Sequence, residues 1–169
     1  MGRSAPSTTA RARVVADVLN GYAERGVFRS VSHGEQRGGK TTFTMLWHHG
    51  RRFRLVLDST AGVVSFPELL PGVPARSAML KELRAFLRQF ETSDVPEHRR
   101  IDPAKGRLRV AAREGGVSLA LAVKGGQWEY CTRRLVHLAQ EVFMVFLPDG
   151  PYDEYRVEKL GLNPDAAWT

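Results

Sequence analysis

The sequence predicts an α+β fold, with helices packed on one face of an antiparallel sheet in the order α-β-β-β-α-β-β-α. Three observations predict it. Apolar residues recur at spacings of three and four in three separate segments, which marks one face of a helix. Between those segments lie blocks in which apolar and polar residues alternate, as they do along a half-buried strand. Each block turns back on itself at a short glycine-containing stretch, and strands joined by hairpins pair antiparallel. The 169 residues give room for one sizeable core, and 43% hydrophobic with 25% charged residues is the composition of a folded domain, not of a disordered chain.

The elements follow in chain order. Residues 1–8 are small and polar and are expected to be flexible, ahead of a single domain over 9–147. From Thr9 to Arg25, the residues Val15, Val18, Leu19 and Tyr22 line one helical face, with Thr8 or Thr9 as N-cap and Gly26 as stop. In TTFTMLWHHGRRFRLVLD, Phe43, Met45 and Trp47 alternate with Thr42, Thr44 and Leu46. After His49-Gly50, Phe53, Leu55 and Leu57 alternate with Arg52, Arg54 and Val56, giving a hairpin. A third short strand is expected over Val63–Phe66, before three prolines between Pro67 and Pro74 break the sheet.

The stretch ARSAMLKELRAFLRQF, residues 75–90, carries Met79, Leu80, Leu83, Phe86, Leu87 and Phe90 on one side of a helix and Lys81, Arg84 and Arg88 on the other. A second hairpin pairs Leu108, Val110 and Ala112 with Val117, Leu119, Leu121 and Val123 across Glu114-Gly115-Gly116. VFRSVS and residues 98–101 are candidate extra strands ahead of the two sheet segments. A third helix is expected from Gln127 to Leu147, with Cys131, Leu135, Leu138, Val142 and Val145 inward and an end, VFMVFL, that is apolar all round. Residues 148–169 form a C-terminal tail available to a dimer or a partner, with space for one more helical turn.

One string asks for separate treatment. GEQRGGKT, residues 34–41, matches the phosphate-loop pattern G-x-x-x-x-G-K-[ST], in which Lys40 would reach phosphates and Thr41 would hold magnesium. That chemistry requires a helix directly after the loop, because the helix N-terminus and its free N–H groups complete the anion site. Here the residues after Lys40 have period two. The apolar run ending in Asp58 lies only 18 positions beyond Lys40, too near for a βαβ unit of about 30 residues. The string is therefore read as a flexible hairpin loop whose glycines supply positive φ, and no nucleotide cofactor is expected.

Other catalytic and metal patterns are missing from the sequence. The five histidines, His33, His48, His49, His98 and His137, lack metal-ligand spacing. His48-His49 is read as a solvated turn and His137 as a helix-surface or interface residue. Ser65 and Ser118 lie on strands, not on a nucleophile elbow. Cys131, the single cysteine, is expected to be a buried, inert thiol, and the lack of a disulfide fits a cytoplasmic setting. No apolar run approaches the length of a membrane span. No cofactor, metal or catalytic residue is assigned.

Charge is better organised. The net charge is +7 and the isoelectric point about 10.1, which favours anionic partners. Arg52 and Arg54 share a strand face, as do Arg107, Arg109 and Arg113, and Lys81, Arg84 and Arg88 form a helix stripe. If both hairpins join one sheet, the face opposite the helices becomes an arginine field, with Thr42 and Thr44 among it. Guanidinium forks bind carboxylates and phosphates. Single-strand nucleic-acid binders add exposed aromatics for stacking, but Phe43, Trp47 and Phe53 are expected to face the core, while Trp128, Tyr152, Tyr155 and Trp168 are not placed by pattern.

The element order, with GYAERGVF closing the first helix, the meander TFTMLWHHGRRFRLVLDSTAGVVSF, the hairpin RLRVAAREGGVSLALAV and an apolar last helix, resembles the YbjN-like and type III secretion chaperone-like proteins over residues 9–147. The resemblance implies a homodimer that binds another protein without ATP, as chaperone or adaptor. It departs from the secretion chaperones in charge, since those are typically acidic. The expectation is a non-catalytic protein-binding module. Its dimer would be joined by the end of the third helix (Val142, Phe143, Val145, Phe146) or by strands of the second hairpin, and its partner would dock on the sheet face or along an unpaired strand edge, with arginines selecting an acidic segment. The alternative use of those faces is nucleic-acid binding.

Overall fold

A computed structural model describes residues 8–48, 50–113 and 115–161. Its elements are α1 (Thr8–Glu24), β1 (Ser30–Arg37), β2 (Lys40–Trp47), β3 (Arg51–Asp58), β4 (Val63–Pro71), α2 (Ala78–Arg88), β5 (Gly106–Arg113), β6 (Gly116–Val123), α3 (Trp128–Glu141), a π-helical turn (Val142–Phe146), the single turn α4 (Leu147–Asp149) and α5 (Asp153–Leu160). All six strands form one antiparallel sheet in the order β1-β2-β3-β4-β6-β5. The α+β class is that expected from the alternation and the hairpins.

Alternation decides which side is covered. Phe43, Met45, Leu55, Leu57, Val64, Phe66, Leu119 and Leu121 all point to the helical side and are fully or almost fully buried. The helices answer with Val15 and Leu19 from α1, Leu80, Leu83 and Leu87 from α2, and Cys131, Leu135 and Val136 from α3. The first and third helices run parallel. Arg11 lies 5.6 Å from the Trp128 ring centre near their starts, and the Tyr22 ring meets His137 edge-on at 6.4 Å further along. Ser77 caps α2, its Oγ accepting from the Leu80 N–H at 3.2 Å.

Four details differ from the sequence expectation. VFRSVS is indeed the approach to a strand, so the first block holds four strands rather than three. The fourth strand runs through Pro67 to Pro71, and the register shift between Phe66 and Leu70 explains how: at the irregularity no ladder N–H is required of the proline. Residues 97–99 form a 3₁₀ turn, not a strand, started by Pro96. The third helix changes at Val142 into the π turn.

The tail is largely part of the fold. Tyr152 and Leu160 are buried, the Tyr152 hydroxyl donates to the Glu82 carboxylate, and the Tyr155 hydroxyl donates to the Pro71 carbonyl at 2.5 Å. The expected flexible N-terminus lies outside the described residues up to position 7, as does the end of the tail from 162 to 169, including Trp168. Among the described residues no helix is long and apolar enough to cross a membrane.

Candidate binding surfaces

Among the described residues no helix covers the second face of the sheet. Cross-strand register places its residues in rows: Thr42, Val56, Ser65, Ala120 and Arg109 in one, Lys40, Asp58, Val63, Ala122 and Arg107 in the next. Thr44 stands beside Arg54 and Leu46 beside Arg52, while Arg113 pairs with Gly116. The two hairpins are thus parts of one sheet, and Arg52, Arg54, Arg107, Arg109 and Arg113 share its open face, all of them exposed. Between them the middle strands β4 and β6 contribute Val63, Ser65, Ser118, Ala120 and Ala122, all small or β-branched, and β4 continues through Pro67 to the exposed Glu68, whose side chain lies beside Gly116.

Basic residues outnumber acidic ones on this face, where Asp58 and Glu68 are the carboxylates among the described residues. The ion pairs of the described residues are Arg99–Glu141, Arg133–Glu129 and Arg156–Asp153, and none includes an open-face arginine. Asp58, aligned with Val63, turns its carboxylate into the following turn and accepts from the Ala61 N–H at 2.9 Å. Both sheet edges are blunted. Arg84 leans from α2 to donate to the Val110 carbonyl on β5 at 3.4 Å, and β1 carries an irregularity between His33 and Gln36. Arg84 is therefore half-buried against the domain, and the α2 stripe retains Lys81 and Arg88 as its exposed charges.

A second surface lies at the end of α3. A cleft of about 370 Å³ is lined by Phe90, Leu138, Met144, Val145, Arg99, Arg134 and His137, among others. Arg99 is held by Glu141 at 2.8 Å, and Arg134 donates to the His98 carbonyl at 2.6 Å. Of the four residues expected to join protomers, Val142 is 0% exposed and Phe143 and Phe146 8% each, so these three belong to the protomer's own core. Phe143 stacks on His48 at 4.5 Å and meets Phe53 edge-on at 5.3 Å; Phe146 packs on Phe86 and Tyr152. Val145 remains at the surface, joined by Met144, which is 61% exposed and was not singled out by pattern. Helical periodicity alone assigned position 145 inward, and the π turn carries it outward.

GEQRGGKT spans the end of β1, the turn and the start of β2. Gly38 and Gly39 both have positive φ (58° and 79°), which is what a two-residue hairpin turn of matching twist needs. Lys40 and Thr41 are consecutive strand residues and point to opposite faces: Lys40 is exposed and Thr41 is 0% exposed on the helical side. A phosphate loop needs both to converge on one ligand. Nor is the turn a loose loop, because the Ser59 N–H donates to the Gly39 carbonyl at 2.9 Å and the Ser59 hydroxyl does so at 3.0 Å. Arg11 secures Ser59 in turn, through its carbonyl at 3.2 Å.

The histidines are also placed. His48 is half-buried against Trp47 and Phe143 instead of being solvated, and His49 lies outside the described residues. The imidazole of His137 is held below its ordinary pKa, first by desolvation and then by Arg134 and Arg133. Among the described residues no cluster of three or more His, Cys, Asp or Glu could hold a metal. No protein-family model, curated protein or solved structure matches the chain.

Cys131 is 0% exposed and donates to the Lys105 carbonyl at 3.3 Å. Burial pushes its thiol up to about 11, so the native thiol is a poor nucleophile at neutral pH. The native protein is expected to resist iodoacetamide at pH 8 and to react once unfolded in urea. The raised value also has a linkage consequence. Between the ordinary thiol value and the folded one, the unfolded chain has released its proton and the folded chain has not, so stability falls as pH rises, by roughly 1 kcal/mol per pH unit. Urea unfolding at pH 9 and pH 10 should therefore show a steeper fall in wild type than in Cys131→Ala, and equal slopes would refute the buried, protonated thiol.

Proposed function

We propose that this chain is a non-catalytic protein-binding module, a homodimeric chaperone-like or adaptor protein that binds an acidic segment of another protein without ATP. The observation that carries the reading is the open sheet face: five arginines without ion-pair partners among the described residues, set around the small side chains of Ser65, Ala120 and Ala122, with Glu68 the one carboxylate of β4 beside them among the described residues. Guanidinium groups left without internal carboxylates are available to carboxylates from elsewhere. The resemblance in element order to chaperone-like domains supports the same reading.

A protein partner is favoured over nucleic acid by where the aromatics lie. Phe43, Trp47, Phe53, Trp128 and Tyr152 are buried, so among the described residues the arginine field has no aromatic ring on which bases stack. Self-association is assigned to Met144 and Val145 at the α3 cleft, beside the mixed charges of Arg134 and Glu141, which suit a self-complementary contact.

Affinity capture from nuclease-treated lysate tests the module. Wild type should retain a defined protein, and a variant with Arg54 and Arg109 changed to glutamate should not. Capture that vanishes with nuclease in wild type would transfer the face to nucleic acid. Light scattering tests the dimer: wild type at micromolar concentration is expected at twice the monomer mass and Met144→Asp at the monomer mass. A monomeric wild type would refute it.

A further inference from the structure

We infer that the segment received by the open face is an amphipathic acidic α-helix of about three to four turns, lying along β4 and β6. The inference rests on the protein-binding reading of that face and concerns the form of its partner.

Width comes first. The arginines of β3 and β5 are separated by β4 and β6, three inter-strand steps of about 4.8 Å, so the two charged walls stand roughly 14 Å apart. An α-helix with its side chains is about 10–12 Å across. The floor beside Arg107 and Arg109 admits it closely, because Ser65, Ala120 and Ala122 project little and Val63 offers apolar surface, while toward Arg113 the floor carries Glu68 beside Gly116, where the occupant would present an uncharged or basic residue. Along the strands the wall runs from Arg107 to Arg113, about 20 Å at 3.4 Å per residue. A helix covering that distance has roughly 13 residues.

Backbone chemistry then separates a helix from an extended segment. A sheet face presents side chains, whereas the N–H and C=O groups of the strands point sideways to their neighbours. An extended segment laid on the face would bury its own backbone groups without partners, at a cost of about 1–3 kcal/mol for each group left unsatisfied. Extended segments pair instead at sheet edges, and here the Arg84 bond to Val110 and the β1 irregularity blunt both. A helix satisfies its own backbone. It would turn a stripe of alanine or leucine to the floor and place glutamates diagonally, at one end toward Arg107 and Arg109 and at the other, on the opposite flank, toward Arg52 and Arg54, since Val56 and Asp58 stand in the rows of Arg109 and Arg107.

The test uses two synthetic 14-residue peptides, both capped at their ends and identical in composition apart from the constraint. One is stapled as a helix with an Ala/Leu stripe and glutamates on both sides. The other carries two central prolines in place of the staple. Fluorescence anisotropy against the full chain is expected to show the stapled peptide binding at least tenfold tighter. That binding should weaken at least tenfold in Ala122→Trp, which raises the floor, and in Arg54→Glu/Arg109→Glu, with both variants checked for unchanged circular dichroism. Equal binding of the two peptides, or stapled binding that ignores both variants, overturns the helical occupant. If neither peptide binds while a lysate protein is still captured through Arg54 and Arg109, the helical form fails and the protein-binding reading stands. A 14-nucleotide single-stranded DNA that outcompetes the stapled peptide overturns both.

Discussion

Phe143→Ala is expected to destabilise the protein by about 3–5 kcal/mol, the usual cost of emptying a buried phenylalanine site. For a chain of this length that lowers the melting temperature by on the order of 10 °C. The size follows from what the ring touches. It stacks on His48 across the β2–β3 turn, meets Phe53 edge-on, and is only 8% exposed. These contacts tie the π turn after α3 to the far end of the first hairpin, so the loss is felt in two parts of the fold at once. Met144→Ala, one residue on, removes a side chain that is 61% exposed and should change the stability of the monomer, measured at concentrations where the dimer has dissociated, by no more than about 0.5 kcal/mol. Thermal unfolding of the two variants separates a core role for Phe143 from an interface role. An interface residue would leave monomer stability intact and change the molecular mass.

The contrast between these neighbours shows where sequence reasoning stopped. Strand alternation named the inward residues of β2, β3 and β6 correctly, because a strand has only two faces and one of them had to be apolar. It also grouped Arg52 with Arg54 and Arg107 with Arg109 and Arg113. Whether those groups would meet depended on β4 pairing with β6, a contact between residues about 55 positions apart that no local pattern encodes. At VFMVFL the pattern was uninformative for the opposite reason: every side chain is apolar, so periodicity cannot tell which face is inside, and the change to a π turn at Val142 leaves no compositional mark. Strand β4 was cut short in the sequence reading since Pro67 is a strand breaker in a regular ladder, and only the register shift makes room for it. Tyr152 and Tyr155 could not be placed because their partners, Glu82 and the Pro71 carbonyl, are distant in sequence.

Reversing Arg107 and Arg109 together to glutamate is expected to weaken binding of the captured acidic partner by roughly 10- to 30-fold. Each exposed ion pair is worth about 0.2–1 kcal/mol, and reversal replaces an attraction with a repulsion of similar size, so two sites give about 2 kcal/mol. The same double reversal at Lys81 and Arg88 on α2 should change affinity less than about twofold. Both pairs alter net charge equally, from +7 to +3, so a response to overall charge alone would make the two variants alike. The distinction comes from placement. Arg107 and Arg109 border the small side chains of Ala122 and Ala120, whereas the middle member of the α2 stripe, Arg84, is engaged with the Val110 carbonyl and leaves its neighbours as separate surface charges. Raising salt should narrow the gap between wild type and the β5 variant, since exposed pairs are screened beyond about 8–10 Å at physiological ionic strength. A gap that does not change with salt would mean that the variant had altered the shape of the sheet, and equal losses from the two reversals would remove the open face as the site of recognition.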